Sequence, residues 1–319
     1  MVDYVITLIT LPLVFSNLSV TSDSCDGTIG NNAVEAKYRA NLREAVTRLG
    51  RFHKDSIKCM EDLASCLQSN GDWLLAENCY HDCLEAREMI CGYESIEAIR
   101  IVGKLACVLR LHGKLEEARM YYKRALDIRS KVQGSEHVST LKTAHNLALV
   151  LEEIGDMNEA EKYHIQATLG FENILGSTDP NTIKATDNLA RILRIQNKFS
   201  ESESLYLRLL RSKLKIFGQN NDETLGTLVT LATVLEDLGK VKVAGAFYRC
   251  AMIGYSYILG AKHDRIGRIF AAYCDMAVKD SVSQGEADFF YEEILSCPPG
   301  TPPPPLYLSQ LLDCTTAQR

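Results

Sequence analysis

The 319-residue sequence predicts an all-α fold, a solenoid of stacked helical hairpins. Three observations carry this. Leu-Ala recurs at a step of 42 residues, as Leu63-Ala64, Leu105-Ala106, Leu147-Ala148, Leu189-Ala190 and Leu231-Ala232. A mid-repeat glycine keeps the same step at Gly71, Gly113, Gly155 and Gly239, with Asn197 in the fourth slot. A second glycine series, Gly50, Gly92, Gly134, Gly176, Gly218 and Gly260, closes each repeat.

Composition narrows the class further. Hydrophobic residues at 46% and charged residues at 24% describe an ordinary folded chain. A net charge of -6 gives no general attraction to nucleic acid or to acidic membranes. The 11 cysteines are odd in number and follow no disulfide framework. Several occupy positions that want a small apolar side chain, so a reducing, cytoplasmic setting is expected.

In chain order, residues 1–30 form an N-terminal extension whose structure the sequence leaves open. Tyr4–Phe15 is apolar, yet Asp3 precedes it and the first basic residue is Lys37, which argues against a secretory signal. It is too short to span a membrane, which takes about 20 apolar residues. A poorly ordered extension, or a strand-like or helical piece packed on the first hairpin, is expected instead. Residues 31–50 read as the second helix of a repeat whose first helix is eroded, serving as a cap. Full repeats follow near 53–92, 95–134, 137–176, 179–218 and 221–260.

The repeat at 137–176 shows why each is a hairpin. Leu141, Ala144, Leu147, Ala148 and Leu151 make one apolar stripe at helical spacing. Gly155 stops that helix in a left-handed backbone conformation that Asn also tolerates. Ala160, His164, Ala167 and Phe171 face back from a second helix, and the small residues permit close approach. Polar residues such as Asp179 and Asn221 can cap the next helix. A degenerate sixth repeat spans 263–296, with Tyr273-Cys274 in place of Leu-Ala. Residues 297–319 form a Pro-rich tail in which PPGTPPPP favours extended polyproline II.

The alternation of Leu-Ala, Gly, Ala-Glu, Tyr, Ala-Leu and Gly, with Ala106, Ala118 and Ala125 in the second copy, resembles the tetratricopeptide repeat. The 42-residue step, with Asn146-Leu147-Ala148 and Asn188-Leu189-Ala190, looks like the kinesin light chain and nephrocystin-3-like subclass. The resemblance covers roughly Asn31 to Leu295 and implies a right-handed solenoid whose first helices line a concave groove. Kinesin light chains also carry an N-terminal heptad segment that binds the motor heavy chain. Residues 1–30 contain no heptads, which counts against that partner.

No phosphate-binding loop, zinc-protease helix or nucleophile elbow is present, so no catalytic residue, metal or cofactor is expected. His53, His137 and His263 share one column at the turns between repeats. Stacked helices lie about 10 Å apart, too far for shared coordination, and these histidines read as turn residues. Cys79 and Cys83, one helical turn apart, read as packing rather than as a zinc pair.

The resemblance places exposed groove positions five and one residues before the Leu of Leu-Ala, and two and five after it. They hold Arg100, Lys104 and Arg110; Lys142 and Asn146; and Lys184, Asn188, Arg191 and Arg194. The first repeat offers Glu61 and Asp62 instead, and the fifth Thr230, Thr233, Glu236 and Asp237. Basic residues thus gather mid-chain, where arginines can pair with carboxylates and asparagines with a peptide backbone. The Lys and Asn clamp that holds heat-shock chaperone tails is missing from the matching slots. The expected function is a non-enzymatic protein–protein interaction adaptor holding an extended, acidic peptide, with no nucleic-acid or membrane partner. The alternative is an oligomerisation scaffold derived from a larger signalling protein.

Overall fold

The computed structural model describes residues 29–279, and all of the regular structure there is helical. The expected extension up to residue 28, the second half of the degenerate repeat and the Pro-rich tail lie outside the described residues. Two compact units divide the chain at Gly155.

The first unit contains α1 (Ile29–Leu49), α2 (Lys54–Asn70), α3 (Trp73–Cys91), α4 (Ile96–Leu111), α5 (Leu115–Gln133) and α6 (Val138–Ile154). Each helix packs on the next. Leu63, Ala64, Leu105, Ala106, Leu147 and Ala148 are buried, as the repeating Leu-Ala requires. The second unit contains α7 (Met157–Leu175), α8 (Pro180–Ile195), α9 (Phe199–Phe217), α10 (Asp222–Asp237), α11 (Val241–Leu259) and α12 (Asp264–Lys279). Its core runs from Ala190 through Leu231, Ala232 and Tyr248 to Met276. Each unit is thus a run of stacked hairpins, the α-solenoid expected from the sequence.

The punctuation of the repeat has a direct backbone cause. Gly155 ends α6 at φ 97°, and Asn197 is the one non-glycine described residue with positive φ, at 62°. The His53 and His137 column is more specific than a set of turn residues. The Nδ1 atoms of His53 and His137 accept the backbone N–H of Asp55 and Ser139, each at 3.2 Å, so both histidines are helix N-caps. His263 does the same for Arg265 at the start of α12. Ser95, Asp179 and Asn221 fill the equivalent slots with more usual capping side chains.

A second regularity holds successive hairpins in register. Lys114, Lys198 and Lys240 each sit at the N-cap of a second helix, where a cation opposes the helix dipole. Each reaches a glutamate 37 residues earlier, on the second helix of the preceding hairpin: Glu77, Glu161 and Glu203. The tertiary ion pair overrides the local penalty, because two of these glutamates, Glu77 and Glu203, are buried and need a partner.

Candidate functional site

Successive first helices are tied by their own charges, and this decides which expected groove residues are free. In the first unit the Glu61 carboxylate, 4% exposed, receives Arg100 through both guanidinium nitrogens at 2.7 and 2.9 Å. Lys104 joins it at 2.6 Å. Three charge-assisted bonds to one carboxylate offset its burial. Arg110 reaches from α4 to Glu153 on α6 at 2.6 Å. Burial lowers the Arg110 pKa, and the hydrogen bond and negative charge of Glu153 together with weaker neighbouring charges leave the group raised. Lys142 stands exposed with no ion-pair partner among the described residues, and Asn146, half-buried, follows one turn later.

In the second unit Arg194 on α8 pairs with Asp237 on α10 at 2.8 Å. Asp187, Arg191, Arg194, Tyr206, Thr230 and Asp237 surround an open pocket of about 520 Å³. Burial is the leading reason that the Asp187 carboxyl titrates above the usual range, with Lys213 and Arg191 pulling the other way. Asn188 and Arg191 both make interactions within the protein. Lys184, at the register of Lys142, is exposed and makes no ion pair among the described residues.

The basic residues expected to line a groove therefore fall into two kinds. Arg100, Lys104, Arg110 and Arg194 are held by Glu61, Glu153 and Asp237 on the neighbouring first helix. Lys142 and Lys184 are not. Sequence inspection placed Glu61 among the acidic groove residues; it is buried instead, as the anchor of two of the cations.

No group of three or more His, Cys, Asp or Glu among the described residues is placed to hold a metal ion. Burial pushes the Cys79 thiol up to about 12 and raises Cys83 well above the ordinary thiol range, so both stay protonated and serve as small core side chains. Among the described residues no helix is long and apolar enough to cross a membrane.

The family model of the tetratricopeptide repeat matches residues 56–131 and 139–215. The chain is a tetratricopeptide-repeat protein. Among solved structures it is similar to BtubC (BKLC) from P. vanneervenii, at 20% identity and TM-score 0.60, over 76% of this chain and 92% of that one. The putative kinesin light chain repeats of Podosopora anserina match at 20% identity and TM-score 0.59, over 64% and 97% of the two chains. The C-terminal part of a repeat-containing protein from Cytophaga hutchinsonii matches at 14% identity and TM-score 0.58, over 89% and 97%. No curated protein sequence matches. The fold of this tetratricopeptide-repeat protein is of the kinesin light chain-like type. Such repeats suggest a protein–protein interaction adaptor, and their fold is typically non-enzymatic.

Proposed function

We propose that this protein is a non-enzymatic adaptor holding an extended acidic peptide against its first-helix faces. The observation that supports this is the pair Lys142 and Lys184. They occupy one repeat position, are exposed, and make no ion pair among the described residues, while neighbouring cations are already neutralised. A peptide carboxylate meeting Lys142 would have Asn146 one turn away as a donor to its backbone. Arg110 and Arg194, held by part-exposed Glu153 and Asp237, could exchange partners with an incoming acid at small cost, since exposed pairs are worth about 0–1 kcal/mol. Charge on such a face would speed encounter more than it deepens final affinity.

Titration of an array of synthetic acidic peptides against wild type, Lys142→Glu and Lys184→Glu tests this reading. Each variant should weaken binding of acidic peptides and leave neutral ones unaffected. Equal binding of acidic peptides by all three proteins would overturn it. A concentration-dependent dimer in which these faces are occluded would favour the scaffold reading instead.

A further inference from the structure

Five basic residues and one glycine share a single column of the first helices. The column holds Lys58, Arg100 and Lys142 in the first unit, and Lys184, Gly226 and Arg268 in the second. Only Gly226 carries no side chain, and an open pocket of about 340 Å³ lies against it in the second unit. Its walls include Val229, Ile269 and Ala272, which are apolar, and Tyr248 and Arg268, which are polar. A Cβ built on Gly226 would come no closer than 3.8 Å to the nearest atom, the Tyr255 hydroxyl. The position is therefore not forced to be glycine by crowding or by its helical backbone.

One cation at this notch is left without an internal counter-charge among the described residues. Arg268 is exposed and makes no ion pair among the described residues, whereas nearby Arg265 stacks 4.7 Å from the Tyr255 ring and is held by Asp222. Tyr248 is fully buried behind the notch, so its ring adds to the apolar lining and its hydroxyl is not presented to a ligand.

We infer that the Gly226 notch is a specificity subsite for one anionic side chain of a partner peptide, with its apolar stem against Val229 and Ile269 and its anion on Arg268. This rests on the acidic-peptide reading above and adds a defined position to it. The anion is a carboxylate or a phosphate; a phosphotyrosine and a glutamate offer the same chemistry at different stem lengths.

The test uses the full chain and peptides from the acidic array, each acidic position offered as glutamate, phosphotyrosine or glutamine. Gly226→Leu fills the notch without adding charge, Arg268→Ala removes the cation, and Gly226→Ala is the control. Gly226→Ala should bind as wild type does. Gly226→Leu and Arg268→Ala should each lose about tenfold for peptides with an anion at one particular position. The glutamine version of that peptide should bind equally to all. Preference for glutamate or phosphotyrosine identifies the stem. Unchanged binding by both Gly226→Leu and Arg268→Ala would overturn the subsite while leaving the Lys142 and Lys184 result standing. Failure of wild type to bind any acidic peptide would remove both readings together. Leucine and alanine are better helix formers than glycine, so a lowered melting temperature is not expected to confound the two Gly226 variants.

Discussion

Lys240 donates to both carboxylate oxygens of Glu203, each at 2.8 Å, and so ties α11 to α9 across one repeat. The glutamate is 3% exposed while the lysine is part-exposed. Such an arrangement is costly to break from one side. Lys240→Ala should destabilise the protein by about 2–3 kcal/mol, just under the range for a stranded buried charge because Lys240 remains partly hydrated. Replacing both residues by leucine should recover most of that loss. Urea unfolding of the two variants checks the comparison; a double variant as weak as Lys240→Ala would show that the pair is not the cause.

Glu77 gives the same ladder a pH dependence in the first unit. Burial pushes its pKa up, but hydrogen bonds from Lys114 at 2.6 Å and His112 at 2.7 Å outweigh this and hold it below the ordinary value. A carboxyl lowered on folding contributes stability above its unfolded pKa, near 4.3, and loses it as pH falls through the folded value. Stability should therefore decline on acidification below about pH 5. Glu77→Gln should start less stable at neutral pH and decline less steeply, measured by thermal unfolding across that range.

The histidine caps can be tested one at a time. His137→Ala removes the acceptor for the Ser139 N–H and should cost about 1 kcal/mol. His137→Asp, which restores an acceptor and adds favourable charge at the helix start, should match or exceed wild type. Unfolding midpoints in the order Ala above His would contradict the capping role.

Backbone strain and packing separate two further sites. Asn197→Gly relieves a side chain held at φ 62° and should stabilise by about 0.5–1 kcal/mol. Gly254→Ala should do the reverse. Its new Cβ would lie 2.3 Å from Leu225 Cδ2, so a buried leucine must move, at a cost of about 1–3 kcal/mol. Hydrogen exchange on α10 and α11 would show the disturbance localised at that contact.

The sequence revealed those features that repeat in phase. Leu147-Ala148, Gly155 and Asn197 announce helices and their ends because local backbone preference and tertiary packing demand the same residues there. The ion-pair ladder was hidden because Lys114, Lys198 and Lys240 sit where a helix start disfavours them, and their partners lie 37 residues away. Arg100 and Lys104 looked like groove residues for a related reason: nothing in their own helix discloses that Glu61 is buried against them. Gly226 escaped notice because an inventory of basic residues records what is present, and the notch is made by a side chain that is absent.

The hairpin of α8 and α9 carries both halves of the ladder. Lys198 at its turn reaches back to Glu161, and Glu203 a few residues later receives Lys240. A second copy of this hairpin placed directly after the first would set its own lysine opposite the first copy's glutamate. The segment is self-complementary, so an array built from it could lengthen by whole hairpins, each arriving with its own adhesive and needing no compensating change in its neighbours.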